Sequence, residues 1–142
     1  MNINCRLLPI VCCVALLLSC SSSETNRPSP SPGKTAALRL DEERYDFGKI
    51  VQGTVVEHVF KFTNAGDDTL VIDRVESTCG CTAAILSSSR IAPGESGEVK
   101  VTFDSHGKMG SISKPVLIHS NSLGAVHQVD VYGEIELPKE KQ

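Results

Sequence analysis

The chain has 142 residues, 14 of them Lys or Arg and 17 Asp or Glu, for a formal net charge of −3 with no basic block. That balance carries neither the positive footprint of a nucleic-acid binder nor a polybasic membrane patch, so no nucleic-acid partner is expected. With no Trp, two Tyr and four Phe in a chain that is 40% apolar, the composition describes one modest aliphatic core and excludes a multidomain enzyme.

Leu7 to Leu18 are almost wholly apolar and follow Arg6 as the single early charge. A run of about a dozen apolar residues is too short to cross a bilayer as a helix and reads as a secretory signal. It closes on Leu17-Leu18-Ser19-Cys20, with polar residues from Ser21 onward. This resembles the lipobox of bacterial lipoproteins. The resemblance implies that residues 1–19 are a signal peptide, that Cys20 becomes the acylated first residue, and that the protein is lipid-anchored to the inner or outer membrane of a bacterial envelope. Its domain would then lie in the periplasm or at the cell surface. An ordinary cleaved signal, or an uncut anchor with an incidental Cys20, is the alternative. Residues 20–36 read as the lipidated cysteine and a tether, because Ser21 to Thr35 has no large apolar residue and alternates Pro28, Pro30 and Pro32 with Ser. Such a segment cannot build a core and favours extended, polyproline-like conformers.

From residue 37 to 142 the pattern is that of one domain. Short β-branched and apolar runs are separated by Gly, Asn, Asp or Pro clusters, and no useful helical period appears. A first strand is expected around Leu38 to Phe47. Val56, His58, Phe60 and Phe62 share one face of the next, with Glu57, Lys61 and Thr63 on the other. Asn64 to Asp68 turns the chain, and Leu70, Ile72 and Val75 mark the return. A short strand follows at Ala83 to Leu86. Pro93-Gly94 suits a tight turn with Pro at a φ near −65° and Gly at positive φ. Val99, Val101 and Phe103 then alternate cleanly, His106 to Gly110 turns, and Val116 and Ile118 face inward. Asn121 to Gly124 turns again before Val129, Val131 and Ile135. About seven strands at this spacing predict an all-β, antiparallel β-sandwich of immunoglobulin-like type, with a small β-barrel as the alternative.

The same residues carry a family resemblance. Tyr45-Asp46-Phe47-Gly48 with Gly53, Phe60-Lys61-Phe62-Thr63-Asn64-Ala65-Gly66, Leu70-Val71-Ile72, Cys79-Gly80-Cys81-Thr82, Pro93-Gly94-Glu95, Val101-Thr102-Phe103-Asp104, Gly110, Ser120-Asn121 and Gly133 resemble the bacterial domain-of-unknown-function 1573 family. The likeness runs over residues 38 to 135 and extends to hydin-like and major-sperm-protein-like domains. It implies an immunoglobulin-like fold on exported, often lipid-anchored proteins, and no established catalytic activity.

Cys79 and Cys81 are the one constellation with chemical potential. Of six cysteines, Cys5, Cys12 and Cys13 lie in the signal and Cys20 is the lipid acceptor, so any intramolecular disulfide joins these two. They are either structural, packed or bridged across a bend that Gly80 would ease by taking positive φ, or a redox pair whose opened thiolates suit Cu(I). Zinc would need two further ligands, and no His lies at a usual spacing. His58, His106, His119 and His127 are scattered and carry no assigned role. Gly94-Glu95-Ser96-Gly97 is a turn rather than a hydrolase elbow, and Asp67-Asp68 is a solvated tip with at most a weak Ca²⁺ contact. The expectation is a non-enzymatic binding or structural module with no cofactor. Its partners would be the membrane, through the lipid, and an unidentified envelope protein. The alternative is a periplasmic thiol-redox or Cu(I) protein.

Overall fold

Alternation of apolar and polar residues leaves each extended segment with one face to bury, and in the computed structural model, which describes residues 33–139, these faces close on one another in two sheets. The strands are β1 (Leu38–Leu40), β2 (Arg44–Val51), β3 (Val55–Asn64), β4 (Leu70–Ser77), β5 (Thr82–Leu86), β6 (Arg90–Ile91), β7 (Ser96–Asp104), β8 (Gly110–Ser120) and β9 (Val126–Glu136). One sheet has the order β1-β3-β7-β5 and the other β2-β9-β8-β4-β6. The expected sandwich is therefore present, as an all-β immunoglobulin-like domain. Cys20, the signal segment and the tether before Gly33 lie outside the described residues.

Three details depart from expectation. The strand expected over Leu38 to Phe47 is two strands in different sheets, because the chain crosses at Asp41 to Glu43. Entering the second sheet this way, β2 runs parallel to β9, with Arg44 opposite Asp130 and Val51 opposite Glu136; every other pairing is antiparallel. The two-residue β6 adds the ninth strand. The domain also begins earlier than residue 37: Thr35 donates its backbone N–H to Asp67 Oδ1 at 2.7 Å, and Ala36 is buried.

The core lies between the sheets. Phe60 and Phe62 from β3, Val99, Val101 and Phe103 from β7, Leu70 and Ile72 from β4, Val116 and Ile118 from β8, and Val129, Val131 and Ile135 from β9 are all buried. Two aromatic side chains rest on glycines where a Cβ would collide with the ring: Phe62 on Gly97 and Phe47 on Gly133. In β4 the register slips between Ile72 and Arg74. That bulge inverts the alternation, so Arg74 reaches solvent while Val75 packs against the core.

Asn64, at the end of β3, is fully buried. Its side-chain N–H groups donate to Asp68 O (2.7 Å) and Ile91 O (3.0 Å), and its Oδ1 accepts from Gly66 N (3.0 Å) and Ala37 N (3.4 Å). Its own backbone N–H donates to Glu95 O, and its carbonyl accepts from Gly94 N, each at 2.9 Å. The adjoining turn closes with Glu95 N donating to Ala92 O at 3.0 Å, and Gly94 takes a φ of +78°, as a Pro-Gly turn of the second type requires.

Phe60→Ala and Phe62→Ala are each expected to cost about 3–5 kcal/mol in denaturant unfolding. Asn64→Ala should cost about 3 kcal/mol, since it removes the partners of four backbone groups at once, one of them, Ile91 O, in a buried bond. Two phenylalanine variants melting within a degree or two of wild type would contradict the burial described for β3.

Candidate functional site

β4 ends at Ser77 and β5 begins at Thr82, and the four residues between them form the cysteine turn. Ser77 Oγ donates toward Thr82 O (2.6 Å) and Cys79 O (3.2 Å), and Thr82 N donates to Cys79 O at 3.2 Å. These bonds fold the turn back on itself. The Cα atoms of Cys79 and Cys81 stand 5.3 Å apart and their sulfurs are joined as a disulfide, with Thr82 Oγ1 3.5 Å from Cys79 Sγ. Both cysteines are half-buried. Gly80 differs from expectation: it is not among the positive-φ residues, and nothing lies within 4 Å of where its Cβ would be. The bend is made by the Ser77 and Thr82 hydrogen bonds, not by glycine's freedom at positive φ. With both sulfurs in the bridge, a Cu(I) site would require prior reduction and would consist of those two sulfurs alone. Among the described residues no three His, Cys, Asp or Glu side chains are grouped as a metal-ligand set.

The cysteine turn sits at one end of the sandwich. Asp104 N donates to Cys81 O (2.9 Å), Ser105 N to Thr54 O (3.1 Å) and Gln52 N to Glu136 O (2.8 Å), while Gln52 Nε2 donates to Lys108 O at 2.9 Å. These bonds gather the β2–β3 turn, the β7–β8 loop and the end of β9. Val51, Val55, Met109 and Leu137 are exposed there, by 49%, 55%, 63% and 54%. The chain enters at the opposite end, where Thr35 and Ala36 bond to Asp67 and Leu123. The sequence marks His106 to Gly110 only as a turn and assigns no role to Val51, Val55, Met109 or Leu137. Turn chemistry does not announce which loops far apart in the chain meet at one end.

The outward face of the four-stranded sheet carries Val59, Lys100 and Ile85 in one cross-strand row and Glu57, Thr102 and Ala83 in the next. Lys100 Nζ lies 2.9 Å from Glu57 Oε2, and the hydrogen bond from Lys100, reinforced by its charge, lowers the Glu57 pKa. On the other sheet, hydrogen bonds from Arg74 and then His119 lower that of Glu76.

The histidines serve the scaffold. His58 stacks on Tyr45 with ring centroids 3.7 Å apart, meets Phe60 edge-on, and donates from Nε2 to Glu42 Oε1 at 2.6 Å. It thereby ties β2 and β3 across the two sheets. His119 pairs with Glu76 at 3.0 Å, and His127 Nε2 bonds Ser122 Oγ at 2.7 Å. His106 lies in the β7–β8 loop, where its N–H donates to Asp104 Oδ1 at 2.9 Å.

Two sheets of this order and core define an immunoglobulin-like β-sandwich domain. The model of a protein family of unknown function, DUF1573, matches residues 38–135, and the chain belongs to that family. A Porphyromonas gingivalis W83 protein of unknown function superposes with a TM-score of 0.65 at 21% identity, over 77% of this chain and 51% of that one. This chain therefore spans about half of that protein's length. PapD-like domain 7 of human CEP192, an ASH domain, superposes with a TM-score of 0.60 at 12% identity, over 92% of this chain and 100% of that domain. The secreted serine protease VesC of Vibrio cholerae gives 0.55 at 17% identity, over 70% of this chain and 23% of that one. At these identities the likeness is one of fold. Comparison with curated proteins finds no match.

The bridge closes so short a loop that chain-entropy arguments credit it with only about 1.5 kcal/mol. The Cys79→Ser, Cys81→Ser double variant is therefore expected to lose less than about 2 kcal/mol, well below Phe62→Ala. Gly80→Ala should leave stability within about 0.5 kcal/mol. Mass spectrometry after alkylation of the unreduced protein should find neither Cys79 nor Cys81 labelled; labelling of both would refute the bridge.

Proposed function

We propose that this protein is a lipid-anchored cell-envelope module that works by binding, not catalysis: Cys20 holds it to the membrane, and the end of the sandwich farthest from the tether meets a protein partner. The observation that carries this reading is the set of exposed apolar side chains at the end away from the chain's entry. The chain enters beside Asp67 and Leu123, where Leu123 and Val126 are exposed by 74% and 45%, while Val51, Val55, Met109 and Leu137, the larger set, are exposed on loops and strand ends at the other end, beside the cysteine turn. Apolar side chains gathered on end loops over a rigid sandwich are the usual material of a protein-binding surface. A tether of some 15 residues, extended at about 3 Å each, would carry that end well clear of lipid. Membership of an immunoglobulin-like family of unknown function fits a binding module.

Cys20→Ser should move the protein from the membrane to the soluble fraction and remove the acyl mass from the mature chain. Val55→Asp and Met109→Asp, both at exposed positions, should leave the melting temperature nearly unchanged. They should abolish the envelope-protein crosslinks that the wild-type chain forms. Retention of those crosslinks by both variants would remove the distal end from consideration, and an unmodified Cys20 in the mature protein would remove the anchor.

A further inference from the structure

β5 lies at the edge of its sheet and pairs only with β7. The register places Thr82 opposite Phe103 and Leu86 opposite Val99, and the flanking bonds Asp104 N to Cys81 O and Ser87 N to Glu98 O fix which backbone groups point where. Cys81, Ala83, Ile85 and Ser87 direct their N–H and C=O toward β7. Thr82, Ala84 and Leu86 direct theirs away from it. Thr82 is already satisfied inside the cysteine turn, through its N–H to Cys79 and its carbonyl to Ser77. Ala84 and Leu86 are left facing outward, and among the described residues no strand pairs with them.

Exposed edges are ordinarily protected by a charge, a proline or a bulge. This one has none of them. Ser77 through Ser89 contains no charged residue and no proline, the β5–β7 register runs without a shift, and Ile85 is 65% exposed at the middle of the open stretch. A neutral edge offers nothing to a charged partner strand, and it meets no like-charge repulsion from another copy of itself. The positions are also self-complementary. Two copies of β5 placed antiparallel with Ile85 opposite Ile85 bring Ala84 of each against Leu86 of the other, which satisfies both outward pairs in both chains.

We infer that β5 is a self-pairing edge, joining a second copy of this chain antiparallel about a two-fold axis through Ile85 and continuing the four-stranded sheet across the dimer. Ile85 and its counterpart form a non-hydrogen-bonded pair, the closer of the two kinds of cross-strand pair, on the outer face flanked by Val59 and Lys100. The cysteine turn sets the register by closing Thr82 off from the ladder. This pairing does not rest on the lipid anchor or on the distal binding end, since it uses neither.

The test uses the full-length chain made in the cell envelope and extracted in mild detergent. Ile85→Cys should yield a covalent species of twice the monomer mass on a non-reducing gel after mild oxidation. Ala83→Cys, which also faces outward but lies far from its own counterpart in this register, should give only the wild-type background. By sedimentation the wild type should shift from monomer to dimer as concentration rises from about 10 μM to about 1 mM, the range expected for a small interface. Ile85→Lys, and Ala84→Pro, which removes only an outward N–H, should stay monomeric with near wild-type melting temperatures. A wild type monomeric throughout overturns the proposal, as does dimerisation that survives both edge variants. Equal crosslinking at positions 83 and 85 overturns the two-fold register, and an Ile85→Cys product whose added mass is that of another protein shows that the edge takes a foreign strand instead.

Discussion

The buried amide of Asn64 is the constraint on which the end of the sandwich where the chain enters depends. Its two N–H groups reach Asp68 and Ile91, its Oδ1 takes the N–H groups of Ala37 and Gly66, and its backbone engages Gly94 and Glu95. One residue, through side chain and backbone, thus locks the β3–β4 turn, the start of the domain, β6 and the Pro-Gly turn before β7. A buried polar group without partners would cost a few kcal/mol; satisfied on every side, it specifies a single arrangement of four segments distant in sequence. Gly66 belongs to the same construction, because a Cβ there would strike the backbone of Thr35 and Ala36. The Phe-x-Phe-x-Asn-x-Gly pattern is therefore one device. Two phenylalanines fill the core, the asparagine ties the turns, and the glycine admits the incoming chain.

Fixing that end leaves the other end free to vary. The β2–β3 turn, the β7–β8 loop and the cysteine turn are joined mainly by backbone hydrogen bonds, which hold their shape whichever side chains they carry. Exposed Val51, Val55, Met109 and Leu137 can therefore occupy this end without disturbing the core. The disulfide at this end belongs to the same local geometry, since it closes a turn whose hydrogen bonds already bring the cysteines within 5.3 Å at Cα.

The edge at β5 follows from the way the chain changes sheets. β4 belongs to one sheet and β5 to the other, so the hairpin that joins them cannot continue either ladder, and only Leu70 and Val71 of β4 are covered by β6. The crossing at Asp41 to Glu43 does the opposite at the other flank. There the chain leaves β1 in one sheet, lays β2 beside β9 in the other, and clamps the sheets with the Tyr45–His58 stack. One flank of the sandwich is crossed by an aromatic contact between the sheets, and at the other β5 is left with outward backbone that no strand pairs.

Alternating Phe60 and Phe62, the Val99-Val101-Phe103 series and the Pro93-Gly94 turn were legible in the sequence because each depends on neighbours one or two residues away, where backbone sterics and the two-residue period of a strand decide the outcome. The same local logic identified Cys79 and Cys81 as the pair to watch. It could not divide Leu38 to Phe47 between two sheets, place β2 parallel to β9, or give His58 a stacking partner, since those depend on which distant strand completes each surface. It also misjudged Gly80, whose role was inferred from what glycine permits when the bend is made by Ser77 and Thr82. The uncharged stretch from Ser77 to Ser89 was visible from the start, but only strand order turns it into an open edge. Sequence alone determined the faces, the turns and the class of fold, because these are local preferences of the chain. Tertiary structure alone decided which faces met, which loops came together at each end and which edge stayed open at β5, because those are set by long-range pairing that no local pattern encodes.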